Sequence, residues 1–302
     1  MKISLVHNPT AGDGQDVESV IRLLTDAGHE VCHRSSKDNW KKLLQDPGDL
    51  LVAAGGDGTV RKVALAAADE GLPFAVLPIG TANNFAKTFG LFGDARALIR
   101  TWGVDDELLV DLGEVRTPSE SRRFLEAIGG GWIPNLIARG AEVQDEFRLL
   151  GRETDRATHL LTDVLRDATP ARWTITADGT DLSGEFLAVE ILNIRFVGPN
   201  VPLAPEADPC DGLLDLVVVT EADRGAVLEY LEHRLTLASG VMPALRSVRA
   251  GQIQLGVPPG VRLHVDDAEW PADRDPYQAM DLDVRCLSGA ARMRAAGVGL
   301  DQ

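Results

Sequence analysis

Glycine residues interrupted by a single aspartate follow an apolar run in the first part of the chain. The segment GGDGT, residues 55–59, lies between that run and a helical pattern. Glycine accepts positive φ angles and lets a ligand approach the main chain closely. The N–H groups of such a turn, with the N-terminus of the following helix, suit a phosphate group. The pattern predicts a phosphate-binding loop, although a plain turn between a strand and a helix has the same composition.

Asp57 places a negative charge in the middle of this loop. A phosphate charge about 4 Å away would repel the carboxylate by roughly 4 kcal/mol at an effective dielectric constant of about 20. Three arrangements offset that repulsion: the carboxylate helps to hold a cation that bridges to the phosphates, it turns away and bonds a neighbouring loop, or it meets a substrate hydroxyl. The residues alone leave all three open.

Two more loops rich in glycine or asparagine follow apolar runs in the same part of the chain. NPTAGDG spans residues 8–14, and PIGTANNF spans residues 78–85. Thr81, Asn83 and Asn84 of the second loop carry groups that bond phosphate or cap a helix. We therefore expect these loops to act together with GGDGT.

Acidic side chains recur beside apolar runs in the second half of the chain. Asp208, Asp211 and Asp215 lie in the segment APEADPCDGLLDL, and Asp267 and Glu269 lie in VDDAEW. Carboxylates at such positions can hold a cation or take up a proton. By itself, the first segment is as compatible with an ordinary polar turn as with such a role, and VDDAEW by itself favours an ordinary polar turn.

The elements that position these loops follow from the spacing of apolar residues. In the first hundred residues, apolar runs alternate with helical patterns. The runs lie at residues 3–7, 30–33, 50–54 and 74–77. This rhythm predicts a parallel sheet covered by helices, and ligands of such sheets bind at the carboxyl ends of the strands. The three loops should therefore gather at one edge.

Strand patterns dominate after about residue 104. One amphipathic helical stretch is expected within residues 134–168 and another at residues 224–237, while residues 290–302 are predicted to be a helix or a tail. Short strands separated by turns favour a β-sandwich. The predicted fold is thus α/β plus β, with a parallel α/β nucleotide-binding domain over residues 1–115. A β-rich domain is expected over residues 116–302, whose final residues could pack back on the first domain.

The net charge, the length of the apolar runs and the cysteine spacing exclude several classes of protein. The net charge of −16 argues against binding to nucleic acid. No apolar run is long enough to span a bilayer, and the first residues lack the features of a secretory signal. Three widely spaced cysteines indicate reduced thiols. We therefore expect a cytoplasmic protein, with peripheral contact with a membrane left open.

The set NPTAG, GGDGT, PIGTANNFA, PEADPCDGLLDL and DAE, in this order, resembles the diacylglycerol kinase catalytic-domain family. This family includes bacterial soluble lipid kinases, diacylglycerol kinases, sphingosine kinases and ceramide kinases. GGDGT alone is similar to a loop of NAD kinases and phosphofructokinases, whereas the segments around PIGTANNF and PEADPCDGLLDL are far more diagnostic. The resemblance covers nearly the whole chain and implies an α/β nucleotide domain followed by a β-sandwich that takes the lipid.

The same resemblance implies an ATP-dependent lipid kinase that transfers the γ-phosphoryl group to the hydroxyl of a diacylglycerol-like acceptor. Glu269 matches the family's general base, and Asp57 is expected to contribute to catalysis. A structural Mg²⁺ is implied at Asp208, Asp211 and the carbonyl of Leu213. Ser36 is assigned to the nucleotide site with Ser35 as its alternative. The implied ATP-binding positions are Asn8, Pro9, Thr10, Ala11, Gly12, Ser36, Ala54, Gly55, Gly56, Asp57, Gly58, Thr59, Val60, Thr81 and Asn83.

Two departures from the family pattern leave alternatives open. Ala268 stands where the family has glycine, and a left-handed alanine would cost roughly 1–2 kcal/mol, so we predict a right-handed conformation there. The segment at residues 193–207 carries extra prolines. A catalytically weak lipid-binding or regulatory protein, or a small-molecule kinase similar to NAD kinase, remain as alternatives. The expected partners are ATP and a membrane-derived lipid, no nucleic acid is expected, and homodimer formation is left open.

Overall fold

The computed structural model describes residues 1–12, 16–103, 107–142, 153–236, 240–272, 275 and 277–295. It divides into two compact units. The first comprises Met1–Leu112 and the chain from Ser288 onward, and the second comprises Gly113–Leu287. The boundary expected from the sequence, after residue 115, lies slightly farther along the chain. Within the described residues, no helix combines the length and apolarity that crossing a bilayer requires.

The first unit contains the alternating strands and helices that the sequence predicts. Its elements are β1 (Lys2–His7), α1 (Val17–Asp26), β2 (Glu30–Ser35), a 3₁₀ helix (Trp40–Gln45), β3 (Leu50–Gly55), α2 (Asp57–Glu70), β4 (Pro73–Pro78), α3 (Asn84–Thr88), α4 (Ala95–Arg100) and the start of β5 (Glu107–Arg116). Four strands form a parallel sheet in the order β4–β3–β1–β2. Every residue of β3 is buried, as expected of a central strand covered on both faces.

Helix α2 follows the GGDGT loop because its sequence favours a helix and its ends are marked by glycine. Gly56 occupies the N-cap position, and the run DGTVRKVALAAADE is rich in alanine, the strongest helix former. Gly71 ends the helix in the left-handed conformation, with φ of 64°. The helix therefore begins directly at the loop that the sequence assigns to phosphate binding.

The second unit is built mainly from antiparallel strands. Its elements after β5 are β6 (Ser121–Phe124), β7 (Ala127–Gly130), α5 (Trp132–Glu142), α6 (Glu153–Asp167), β8 (Ala171–Ala177), β9 (Thr180–Asp181), β10 (Gly184–Phe186), β11 (Ala188–Leu192), β12 (Leu214–Val219), a 3₁₀ helix (Glu221–Asp223), α7 (Arg224–Leu235), β13 (Arg246–Ala250), β14 (Gln252–Val257), β15 (Leu263–Val265), β16 (Ala268–Glu269) and β17 (Met280–Arg294). The boundary between the units falls within β5 and within β17.

Two sheets of the second unit enclose one apolar core. One sheet has the order β13–β12–β11–β7–β15–β16, and the other includes β10–β8–β14–β17. Trp173 and Ile253 from the second of these sheets pack in the same cluster as Ile191, Leu216 and Leu263 from the first. Helices α5, α6 and α7 share a separate cluster with β11 and β12. The predicted β-sandwich is confirmed.

The prediction of a helix or tail for residues 290–302 is wrong over residues 290–294, which belong to β17. Arg292 and Met293 pair in parallel with Pro73 and Phe74 of β4, so they extend the sheet of the first unit. The alanines of this stretch suggest a helix, but the open edge of β4 supplies main-chain hydrogen-bond partners that outweigh local propensity. Residues 296–302 lie outside the described residues.

Candidate functional site

The three glycine- or asparagine-rich loops of the first unit lie at the carboxyl ends of β1, β3 and β4, as the sequence predicts. Main-chain hydrogen bonds connect them: the Asn8 N–H donates to the Ala54 carbonyl at 2.9 Å, and the Ile79 N–H donates to the Gly55 carbonyl at 3.1 Å. Within the first loop, the Asn8 side-chain oxygen accepts the Thr10 N–H at 3.2 Å. The three loops therefore form one connected edge. Asp13, Gly14 and Gln15 of NPTAGDG lie outside the described residues.

Glycine is required where these loops touch. A Cβ atom on Gly80 would lie 2.2 Å from the Cα of Gly56, and one on Gly12 would lie 2.5 Å from the carbonyl oxygen of Ile79. Gly12 also has a positive φ of 51°. The loops thus pack main chain against main chain, which brings their peptide groups into a small region. Peptide N–H groups gathered in this way are suited to an anion.

Asp57 is bonded to the neighbouring PIGTANNF loop. Its Oδ1 accepts the main-chain N–H of Phe85 at 3.1 Å, at the beginning of α3. Burial raises the pKa of the Asp57 carboxyl, while the N–H groups of Phe85 and Asn84 and the charge of Lys87 oppose that rise. Of the three arrangements open from the sequence, the structure shows the one in which the carboxylate bonds a neighbouring loop.

The other side chains assigned to nucleotide binding divide into two groups. Ala11, Ser36, Ala54, Thr59 and Val60 are buried. The Ser36 N–H donates to the His7 carbonyl at 2.7 Å and so continues the pairing of β1 with β2. Exposed positions are Pro9, Thr10 and Thr81.

Asn83 shapes its own loop. It has a left-handed main chain with φ of 52°. Its side-chain oxygen accepts the Gly80 N–H at 3.0 Å, and its amide donates to the Gly80 carbonyl at 2.7 Å. Through these two hydrogen bonds, the Asn83 side chain stabilises the turn in which Gly80 lies against Gly56.

The predicted metal-binding loop lies in the second unit, before β12. Asp208 Oδ1 accepts the Cys210 N–H at 2.9 Å, and Asp211 Oδ1 accepts the Leu213 N–H at 2.9 Å. Arg249 Nη1 donates to Asp211 Oδ2 at 3.3 Å. Among the described residues, no three His, Cys, Asp or Glu side chains form a cluster suited to a metal ion. The predicted ligands Asp208, Asp211 and the Leu213 carbonyl are not such a cluster, because they include only two carboxylates and one main-chain carbonyl.

The electrostatics of this loop fit a cation. Burial and the adjacent Asp211 raise the pKa of Asp215 to about 6, with further contributions from Asp208 and Glu206, while Arg249 opposes the rise. Burial contributes most to this rise, and the neighbouring carboxylates that add to it also attract a positive ion. Oxygen donors of this kind are those that Mg²⁺ prefers.

Glu269 ends a short hairpin in the second unit. It belongs to β16, where it faces His264 of β15 across the antiparallel pair. Its exposed carboxylate has Arg262 nearby, with Glu269 Oε2 and Arg262 Nη1 3.8 Å apart. The left-handed residue of the turn is Asp266, with φ of 54°, and Ala268 is not among the residues with positive φ. Ala268 belongs to strand β16, so it avoids the left-handed conformation but is extended and does not form the right-handed turn that the sequence predicts.

Comparison with known proteins relates both units to one family. The diacylglycerol kinase catalytic domain matches residues 2–115, and the YegS C-terminal NAD kinase beta sandwich-like domain matches residues 137–287. The Pseudomonas aeruginosa protein named "Probable lipid kinase YegS-like" is 33% identical over 97% of this chain and 93% of its own length. The chain belongs to the diacylglycerol kinase catalytic-domain family.

Other members of the diacylglycerol kinase family are more distant. The Bacillus subtilis protein named "Diacylglycerol kinase" is 27% identical over 72% of this chain and 74% of its own length. The crystal structure of a diacylglycerol kinase from Bacillus anthracis strain Sterne covers 99% of this chain and 98% of its own, with a TM-score of 0.70 and 20% identity. That structure supports the fold alone. The predicted family, its kinase class and the two-part architecture are confirmed.

Three side chains near the hairpin of this kinase-family member were not singled out from the sequence. They are Glu190, His264 and Asp266, and all are buried. The sequence could have indicated a buried charge at Glu190, because this residue interrupts the otherwise apolar run FLAVEIL. A charged residue in such a run has to find a buried partner, but the sequence does not show which one.

Gly80→Ala is expected to disturb the contact between the loops of this kinase-family member. The added methyl group would overlap the Gly56 main chain, because a Cβ there lies 2.2 Å from the Gly56 Cα. Overpacking of this kind lowers the free energy of unfolding by about 1–3 kcal/mol. Thermal and denaturant unfolding measure the loss. Gly225→Ala in α7 is the matched control, since a Cβ there meets nothing within 4 Å; equal stability of the two variants would contradict the prediction.

Proposed function

We propose that this protein is an ATP-dependent lipid kinase that transfers the γ-phosphoryl group of ATP to the hydroxyl of a diacylglycerol-like lipid. The observation that carries the proposal is the contact of three loops through their glycines in a member of the diacylglycerol kinase family. Phosphoryl transfer needs in-line positioning, neutralisation of charge and a group that accepts the hydroxyl proton. The described residues supply candidates for each requirement.

The loops of the first unit hold the nucleotide in this proposal. Main-chain N–H groups of residues 56–58 at the N-terminus of α2, together with that of Gly12, contact its phosphates. The N–H groups of Asn8, Thr10 and Ala11 are bonded within the loops and hold them in place. Thr81 is exposed on the PIGTANNF loop and offers its hydroxyl to the nucleotide, whereas the exposed Thr10 donates its hydroxyl proton to the Asn8 side-chain oxygen at 3.0 Å and shapes the first loop. Since these donors are fixed by contacts among the loops, the phosphates meet a preorganised site and little entropy is lost on binding.

Glu269 is proposed as the general base. It is an exposed carboxylate on a short hairpin, so a lipid hydroxyl can reach it without displacing buried groups. The carboxylate accepts the proton as the hydroxyl oxygen attacks the γ-phosphorus, and the bond between that phosphorus and the bridging oxygen of ADP breaks. Arg262 lies beside this carboxylate, with Arg262 Nη1 3.8 Å from Glu269 Oε2.

Two sets of residues are proposed to hold Mg²⁺. Asp208, Asp211 and the Leu213 carbonyl would hold a structural ion at the loop before β12, while Asp57 would help to organise the ion that accompanies ATP. When bound, Mg²⁺ supplies positive charge that offsets the phosphate oxygens. The main-chain contact of Asp57 with Phe85 fixes where that carboxylate is held.

A screen for phosphate transfer tests the function. The full chain is incubated with Mg²⁺, γ-³²P-labelled ATP and either a bacterial lipid extract or NAD, and the products are identified by chromatography and mass spectrometry. We expect a labelled lipid whose mass increases by one phosphate, no labelled NAD product, and loss of labelling when EDTA removes Mg²⁺. Labelling of NAD alone would support a kinase similar to NAD kinase, and ATP binding without any transfer would support a regulatory protein.

Two further measurements test contact with a membrane and the oligomeric state. A lipid acceptor lies in a bilayer, so the proposal includes peripheral contact of a cytoplasmic protein with that surface. Sedimentation with vesicles made from the extract measures this contact, and light scattering of the free protein measures whether it forms the homodimer that the sequence leaves open.

A further inference from the structure

A buried polar chain lies directly behind the hairpin that carries Glu269. Glu190 of β11 and His264 of β15 are fully buried. His264 Nε2 lies 2.8 Å from Glu190 Oε2, and His264 Nδ1 lies 2.8 Å from the Asp266 carbonyl oxygen. The chain therefore runs from the interior of a central strand to the turn residue that precedes β16.

The hydrogen-bond partners determine how many protons Glu190 and His264 hold together. A carbonyl oxygen only accepts, so His264 Nδ1 carries a proton and donates it to Asp266. One further proton is shared between His264 Nε2 and Glu190 Oε2. Burial disfavours the imidazolium, but the Glu190 carboxylate and the Asp266 carbonyl raise the pKa of His264 above its ordinary value. The pair is neutral overall wherever the shared proton lies.

Space for the Glu190 carboxylate is provided by Gly129 of the neighbouring strand. A Cβ at residue 129 would lie 2.1 Å from Glu190 Oε2. Within the part of the chain that the structure describes, Glu190 Oε1 is buried without a hydrogen-bond partner. Burying a carboxylate in this way costs stability, since apolar residues of similar volume in place of a buried ion pair are often neutral or stabilising. Stability alone is therefore a poor explanation of the pair.

Asp266 connects His264 to the turn before β16, and hydrogen bonds to the main chain of Glu126 and Ala127 hold that turn in place. Its Oδ1 accepts the N–H of Glu126 at 2.8 Å and that of Ala127 at 3.3 Å. Its own N–H donates to the Ala127 carbonyl at 2.8 Å. The left-handed main chain of Asp266, with φ of 54°, is held from both sides by these bonds. Because Glu269 follows in the next strand and faces His264, its direction depends on this turn.

We propose that Glu190 and His264 are positioning residues that hold the Glu269 carboxylate in place through Asp266. The inference rests on the proposed function, in which Glu269 is the general base. His264 acts from two sides: its ring fixes the Asp266 carbonyl, and its main chain is the cross-strand partner of Glu269. A displacement of about 1 Å at a reacting group can lower the rate by about 10²-fold.

A double apolar variant separates positioning from stability. Glu190→Leu combined with His264→Leu removes the buried polar pair and keeps most of the volume. We expect this variant to be at least as stable as the wild type in thermal unfolding. Its kcat with the labelled lipid is expected to fall by about 10²-fold, with the KM for ATP within about twofold of the wild-type value. Glu190→Gln is the control: its amide can donate to His264 Nε2, so kcat should stay within about threefold of the wild type.

A second comparison tests whether the pair acts through Glu269. In a Glu269→Gln background, adding the two leucines should cause no further loss of the residual turnover, because the group that they position is already absent. Hydrogen exchange should show faster exchange at residues 264–269 in the double apolar variant and unchanged exchange in the first unit. If the double variant does not fold, Glu190→Gln combined with His264→Leu, which removes the bond to the Asp266 carbonyl without leaving a buried charge, replaces it in both comparisons.

The outcomes distinguish this inference from the proposed function. Full activity of Glu269→Gln would overturn the role of Glu269 and the positioning role with it. If Glu269→Gln is impaired while the folded double apolar variant turns over like the wild type, only the positioning role is overturned. The same conclusion follows if the two leucines cause their full loss of turnover in the Glu269→Gln background as well.

Discussion

Glu269→Gln should lower lipid-kinase turnover by about 10²–10⁴-fold, the range that a general base contributes. Glutamine has nearly the same size and keeps an oxygen acceptor, but it cannot take up the hydroxyl proton. Since the side chain is exposed, the free energy of unfolding should change by less than about 0.5 kcal/mol. Affinity for ATP should be unchanged, because the residue lies outside the three loops. Steady-state kinetics with the labelled lipid and calorimetric titration with ATP measure these quantities.

Glu229→Gln is the matched control for this experiment. Glu229 is an exposed glutamate of α7 in the same unit, with no part in the proposed reaction. The control should turn over like the wild type, which excludes a general effect of removing one surface charge. Wild-type turnover of purified Glu269→Gln would mean that another group takes the proton and that Glu269 is not the base.

Asp57→Ala and Asp57→Asn form a pair that separates the two tasks of this carboxylate. Alanine removes both the charge and the acceptor for the Phe85 N–H, whereas asparagine can keep the acceptor and removes only the charge. We expect both variants to lose about 10²–10³-fold in kcat, the size of effect seen when one preorganised electrostatic group is removed. Only alanine should also lower the free energy of unfolding, by about 1–3 kcal/mol, because buried N–H groups lose their partner.

Glu70→Gln controls for charge on the same helix, since Glu70 is exposed at the end of α2. The decisive measurement is the kcat of the asparagine variant. A value close to that of the wild type would show that Asp57 only anchors the PIGTANNF loop, and its assignment to the organisation of Mg²⁺ would then be wrong.

Features that depend on neighbouring residues in the sequence were predictable. Alternating apolar runs and helical patterns indicate the parallel sheet, and the glycines of GGDGT and PIGTANNF indicate loops at its edge. Strand β3 is an example, because six consecutive buried residues between turn signals leave few alternatives. The sequence also indicates that Ala268 avoids the left-handed conformation, because alanine disfavours it, but it does not indicate the extended conformation that the structure shows.

Features that depend on distant pairing were not predictable from one sequence. The partner of Asp57 is the N–H of Phe85, on a loop that follows a different strand. The hydrogen bonds of Glu190, His264 and Asp266 join three parts of the second unit: β11, the segment at residues 264–266 and the main chain at residues 125–127. The local composition of each segment is compatible with several partners, and only the fold selects one.

The pairing of β17 with β4 has a consequence for how the chain folds. Arg292 lies beside Pro73 in the sheet of the first unit, so this contact closes a very long loop. Contacts of high sequence separation form slowly, and an open strand edge invites pairing with other chains. During synthesis β4 leaves the ribosome long before β17 does. The parallel sheet of the first unit is thus begun before the second unit is translated and is among the last parts to be completed.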